Sequence, residues 1–455
     1  MRHSLATTLR AALILSAVPV FTVPFTVASA AQEAMPADTT RAFPGAVGWT
    51  DTVGGRGGKI IKVTNLNADG PGSLRAALAA EGKRIVVFEV GGVIDLEGAN
   101  LSIDNPYITV AGQTAPSPGI TIIKGGLVIK GHDVIVRHLR IRPGDLGEAP
   151  MSGRDIDAIT TAAAHDVIVD HCSLSWATDE NLSASGPRFT GDTPDDWREG
   201  TSRRITYSNN LIAEGLANST HAKGEHSKGS LIHDNTSGIL IYGNLYAHNY
   251  ERSPLFKGGA RGAIVNNLIY NPGQRAIHYN LQGLEWGDAQ YQTGELTVVG
   301  NVLRGGPNTV ADLPLVMLGG NGSADLYLAD NRVQDAHGDP LPLMGRYTAS
   351  EAVLNKHRKP IREIPGVEPM PAAEVEISVL KKVGARPWDR DKIDVRILAD
   401  TAEGRGHIID SQEQVGGYPT FEETRATFNP DDWNLDTMEP KSPDVLDDGS
   451  KARGT

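Results

Sequence analysis

Apolar positions along this chain fall in short blocks, not in the three-and-four spacing of long helices. After residue 130 one block keeps returning: "VIVRHLRI" at Val134, "VIVDHCSL" at Val167, "ITYSNNLI" at Ile205 and "ILIYGNLY" at Ile239, then "GAIVNNLI" at Gly262, "LTVVGNVL" at Leu296 and "LYLADNRV" at Leu326. Each is a β-branched run closed by a polar break, the pattern of a strand that ends in a turn. Written in register, the later blocks align Asn210, Asn244, Asn267, Asn301 and Asn331 in one column, with separations of 34, 23, 34 and 30 residues. A fixed column with variable spacing predicts stacked coils joined by loops of unequal length. No single coil can bury its own apolar face, so neighbours supply the core. Asparagines stacked at one bend can bond to the backbone and to one another. A β-sandwich would instead set strands roughly 8–12 residues apart with alternating polarity. These runs are almost continuously apolar and lie farther apart, so the predicted fold is all-β, a parallel β-solenoid over residues 43–345.

The flanks complete this organisation. "GSLRAALAAEGK" (72–83) predicts a short amphipathic helix entered at Ser73, with Gly82 near its end, suited to capping the open end of the solenoid. From Arg346 the chain becomes charged and helical or irregular, and 346–440 is expected to pack on the solenoid or cap its far end. Residues 441–455 are expected to be a disordered tail. At the other end, Arg2 and Arg10 precede "AALILSAVPVFTVPFTV", which closes on Ala28, Ser29 and Ala30. That is the form of a secretory signal peptide over 1–30, cleaved after about Ala30, with a linker over 31–42. Pro19 and Pro24 interrupt the run and no second apolar span follows, so the mature protein is expected to be secreted, periplasmic or extracellular, with no membrane span.

Charge narrows the partners. The chain has 455 residues and a formal net charge of −12, which becomes about −14 once Arg2 and Arg10 are removed with the signal. Such a protein does not suit nucleic acid or anionic lipid, and an anionic ligand must be met by a local basic patch. The single cysteine, Cys172, rules out an internal disulfide and is expected to pack as a small buried hydrophobe. A monomer is expected.

Acids and bases are concentrated in different segments. "GRDIDAIT" sets Asp155 and Asp157 two apart, expected on one side of a strand, and "WATDENLSASG" adds Asp179 and Glu180. Coils lie ~4.8 Å apart, so carboxylates on neighbouring coils can converge on one ion. An oxygen-only set points to Ca²⁺, unless these acids are solvated turn residues. "HAKGEH" is a poor zinc site because its lysine would compete for the space. Downstream, "THAKGEHSKGSLI" carries Lys223 and Lys228, and "NYERSPLFKGG" carries Arg252 and Lys257. Lys228 and Arg252 fall in consecutive coils, so they can lie side by side. Glu251 is available to pair with one of these cations.

"VIVDHCSLSW", "ITYSNNLI", "HSKGSLI" and above all "RSPLFKGG" resemble the pectate lyases of polysaccharide lyase family 1, over residues 43–279. The resemblance implies a right-handed parallel β-helix that cleaves polygalacturonate by Ca²⁺-assisted β-elimination to 4,5-unsaturated products. It implies Arg252 as the catalytic base, Lys257 in the place of a second arginine, and Lys228 against the substrate carboxylate. It makes Asp155, Asp157 and Asp179 metal ligands, with Glu180 a further ligand where Ser183 replaces an acid. Lys223, Arg275 and His278 are expected to bind substrate. Alternatives are a lyase on another uronate polymer, a hydrolase using paired carboxylates, and a non-catalytic polysaccharide-binding β-helix. "GPRFTGDTPDDWREG" (186–200) is expected to shape one end of the groove.

Overall fold

A computed structural model describes residues 41–226, 228–347, 349–362 and 366–446. The expected signal peptide, most of the linker and the end of the expected tail lie outside these residues. Three long sheets of eleven, ten and nine strands wind around one apolar core, and all their pairings are parallel except one added strand, Thr424–Arg425. Each coil contributes a strand to the first, second and third sheet in turn, as Arg203–Ser208, Leu211–Ala213 and Leu231–Ile232 do. The protein is a right-handed parallel β-helix, and no sheet closes into a barrel.

The repeated sequence blocks are the strands of the first sheet, in the register their alignment predicts. Val134, Val167, Ile205, Ile239, Gly262, Leu296 and Leu326 stack one above another. The runs are continuously apolar because both faces of the sheet are covered. Inward residues form the core, while outward Ile135 and Ile168 lie beneath Ala42, Phe43 and Ala46. The asparagine column forms a ladder at the turn into the second sheet. Asn210 Nδ2 donates to Asn244 Oδ1 at 3.0 Å, Asn244 to Asn267 at 3.0 Å, and Asn267 to Asn301 at 2.9 Å. The residue before each rung is left-handed: Asn209, Gly243, Asn266, Gly300 and Asp330 have φ of 53°, 65°, 55°, 66° and 46°. Glycine, asparagine and aspartate tolerate that conformation best, which is why these types precede the column. Cys172 tops the ladder, its N–H donating to Asn210 Oδ1 at 2.8 Å, and burial pushes its thiol up to about 12. It is an inert packing residue.

The N-terminal cap is α1 (Leu74–Ala79), entered at Ser73, whose side chain accepts from the Ala76 N–H; Leu74, Ala77 and Leu78 join the core. A second helix, α2 (Pro194–Glu199), and a third, α3 (Gly283–Trp286), sit on turns leading from the third sheet to the first. Coil strands continue past residue 345, through Met344–Arg346 and Val353–Lys356. The chain then forms α4 (Ala372–Lys382) and α5 (Lys392–Glu403), whose Val375, Val379 and Ile397 cover Leu211, Leu245, Leu268 and Val302 of the second sheet. Asp391 and Asp394 at the start of α5 clamp the buried Arg142, at 2.6 and 2.8 Å.

Candidate active site

The stacked turns from the second sheet to the third bring the acids and cations together. The backbone rungs fix the order. Ala158 N–H donates to Glu180 O (3.0 Å), Lys228 N–H to Asp179 O (2.7 Å), Ser230 N–H to Arg252 O (2.6 Å) and Ser253 N–H to Ala276 O (3.0 Å). Asp157, Asp179 with Glu180, Lys228, Arg252 and Arg275 therefore occupy successive coils on one turn. The potential along it runs from negative to positive.

Asp155 and Asp157 do not lie on a strand; they stand in the irregular segment before Ile159–Ala162. Asp155 is exposed and belongs to neither ligand group found among the described residues. One of those groups is Asp157, Asp179 and Glu180, with ligand atoms within 4.8 Å of one another. Asp157 accepts from the Glu180 N–H at 2.9 Å and from Ser183 Oγ at 2.6 Å, so the serine at the expected ligand position holds a neighbouring carboxylate. Burial, then Glu180 and Asp179, push the Asp157 carboxyl well above its usual range, and burial lifts Glu180 to about 7. Crowded, partly dehydrated carboxylates of this kind fit a hard divalent cation such as Ca²⁺, which relieves both burdens at once.

The other group joins Asp179 to His221 and His226, and sequence reasoning set this pair aside for the wrong reason. Lys223 does not compete for the space, because its side chain is exposed. The tautomers are informative instead. His221 Nδ1 accepts the Lys223 backbone N–H at 3.0 Å, so its Nε2 carries the proton and is no metal ligand. A ligating imidazole donates from its second nitrogen. His226 Nε2 lies 2.9 Å from Asp179 Oδ1, and burial followed by Arg252 pushes this imidazole down to about 3, so it is a neutral donor to Asp179. The two rings stack with centroids 3.9 Å apart. Two histidines five apart in a loop were the available signal; their convergence on Asp179 was not.

Among the cations, Arg252 has φ +61° and forms an ion pair with Glu180. Lys228 is 2% exposed, with its ammonium 3.4 Å from Glu251 Oε1 and over the Tyr250 ring at 4.5 Å. Burial, then Arg252, lower it to about 7. Arg275 pairs with Glu251 and lies over the Tyr347 ring at 4.6 Å. Buried His278 follows on the next strand, and burial and then Arg252 keep its imidazole well below the usual range. Lys257 stands apart: it pairs with Glu285 and lies 3.4 Å from Asp234, in a network that also holds Arg188. Glu251 pairs with Lys228 and Arg275, as its place beside the cations suggested, while Tyr250 and Tyr347 complete the lining and went unsuspected.

A right-handed β-helix with acids and cations stacked along one turn has the architecture of the β-helical polysaccharide lyases. No protein-family model matches the chain. It is 34% identical to a "Probable pectate lyase C" of Aspergillus terreus, over 83% of this chain and 81% of that protein. It is 33% identical to a protein of the same description from Neosartorya fischeri, over 84% and 82%. Its fold matches jun a 1, the major allergen from cedar pollen, at a TM-score of 0.50 and 18% identity, over 74% of this chain and 92% of that one. It also matches a pectate lyase studied for its substrate specificity and anti β-elimination mechanism, at 0.52 and 15%, over 77% and 100%. The chain belongs to the pectate lyase family and is a polysaccharide lyase.

Proposed function

We propose that the protein is a secreted lyase that cleaves polygalacturonate by Ca²⁺-dependent β-elimination. The observation that carries this reading is the order of charges on consecutive coils: the carboxylates of Asp157, Asp179 and Glu180, then Lys228, Arg252 and Arg275. A uronate carboxylate lying along the turn meets cations on one side and a cation-loaded acid set on the other. That local field supplies the attraction that a net charge of −12 denies.

In the reaction, a base takes the proton at C5, the electron pair forms a C4–C5 double bond, and the C4–O bond breaks. The leaving oxygen takes a proton from water. Calcium, when bound, supplies positive charge that lowers the cost of carbanion character beside the carboxylate. Arg252 is assigned as the group that receives the C5 proton, following the family motif in "RSPLFKGG". Guanidinium ordinarily stays protonated to pH above ~12, so this role needs a neutral form favoured by neighbouring positive charge. Glu180 pairs with Arg252, and sharing its charge with a metal would loosen that hold. Lys228 contacts the substrate carboxylate and stabilises the developing negative charge. Asp155 on its exposed loop, Lys223 on the outer rim and His278 beneath the groove are assigned supporting roles in binding, while Lys257 braces the wall through Asp234 and Glu285. The protein acts as a monomer.

Incubation with a panel of uronate polymers tests the assignment. Ultraviolet absorbance from unsaturated ends on polygalacturonate is the expected outcome. Reducing ends without that absorbance identify a hydrolase, binding with neither identifies a non-catalytic β-helix, and absorbance on a different polymer reassigns the substrate.

A further inference from the structure

A cavity lies away from the charged turn, on the outer face of the first sheet. It measures about 520 Å³, within the range of small-ligand sites. Its floor is made by Leu240, Ala263 and Thr297 on adjacent coils, which continue the outward register of Ile135 and Ile168. Trp49 forms one wall, and α2, inside the 186–200 insertion expected to shape the catalytic groove, forms another. Five arginines line it, Arg198, Arg203, Arg204, Arg261 and Arg362, against three acids, Asp195, Glu199 and Glu295.

All five cations have partners; Arg204 has two, Asp166 at 2.6 Å and Asp51 at 2.7 Å, and the pairing is thin at the other four. Glu295 serves both Arg261, at 3.0 Å, and Arg362. Glu199, which holds Arg203 at 2.8 Å, is 70% exposed, and Asp195 beside Arg198 is 95% exposed. Exposed pairs of this kind contribute little and are readily exchanged for a ligand carboxylate. Arg204 lies over the Trp49 ring at 4.2 Å, giving a flat cationic and aromatic shelf. Apolar floor, aromatic wall and guanidinium groups whose acid partners are shared or solvent-exposed together match sugar rings that carry carboxylates, since guanidinium binds carboxylate in a two-pronged fork.

We propose that this cleft is a second, non-catalytic binding site for an oligouronide, holding the polymer while the charged turn cleaves it. The proposal rests on the uronate-lyase reading above. The test is calorimetric titration of hexagalacturonate into R252A protein, which binds without cleaving. Two classes of site are expected, and R203Q/R261Q in that background is expected to weaken one of them at least tenfold. In the otherwise unaltered chain, R203Q/R261Q should leave turnover of trigalacturonate within twofold and raise KM for the polymer. A single class of site, unchanged by R203Q/R261Q, overturns the proposal while leaving lyase activity intact. Absence of unsaturated products from every uronate polymer overturns the underlying reading instead. Should the double variant not fold, hexagalacturonate soaked into crystals of R252A decides: sugar density over Leu240 and Ala263 supports the cleft, and density confined to the charged turn refutes it.

Discussion

Arg252 and His226 carry the sharpest consequences at the residue scale. Arg252→Ala should cut turnover by roughly 10²–10⁴-fold, the usual contribution of a positioned proton acceptor. Its circular dichroism should stay unchanged, because the side chain lies on a turn outside the core. A variant retaining most of its activity would remove the residue from the mechanism. His226 acts one step back, by orienting Asp179 through a 2.9 Å contact. His226→Ala should weaken Ca²⁺ binding about 10–100-fold in calorimetry, as loss of an orienting partner does. His226→Gln keeps a donor and should recover much of that loss. The sequence carried part of this site. The acids and cations were legible because they stand at the ends of repeated blocks, where register alone aligns Lys228 with Arg252. Glu251 was legible as a partner for these cations, whereas the histidine pair and the two tyrosines were not placed, because loops of unequal length bring them in. The shared strand face expected for Asp155 and Asp157 is absent, because alternation along a strand says nothing once the residues lie in an irregular segment.

Among the elements, the asparagine ladder ties the coils together. Each rung donates from Nδ2 to the next rung and accepts at Oδ1 from the previous one, as Asn267 does between Asn244 and Asn301. Asn267→Ala leaves buried donors and acceptors unmatched on both sides, at ~1–3 kcal/mol for each unsatisfied group. Thermal unfolding should therefore begin several degrees lower, whereas Asn218→Ala, at an exposed loop position, should leave it unmoved. The ladder was readable because it is periodic: one column, repeated, predicts the bend and the stacking of its asparagines. The C-terminal segment was readable as helical or irregular chain that packs on the solenoid or caps its end, not as two helices on one particular sheet. Their apolar faces would suit any covered sheet, and the choice of the second sheet depends on long-range partners such as Arg142 with Asp391 and Asp394.

At the scale of the whole molecule, the fold was the most legible feature, since coil after coil repeats the same inward pattern and each repetition reinforces the last. Its pH response follows from side chains that the repeats bury. His248 and His233 are held near 4, chiefly by burial, against ~6.5 for a free imidazole. Between those values the unfolded chain binds the protons that these two imidazoles refuse in the folded one, so their share of the stability is full above about 6.5 and declines as pH falls toward 4. Melting temperature should drop steadily across that window; a flat profile would show that these imidazoles titrate freely in the folded chain.

The central claim is that acids and cations stacked on one turn eliminate across a uronate bond with a divalent ion in the carboxylate set. The most direct measurement follows ultraviolet absorbance during incubation with polygalacturonate, first with Ca²⁺, then after a chelator, then with Ca²⁺ restored. The account predicts that absorbance rises, stops and resumes. A rise that continues undiminished in the chelator would contradict it.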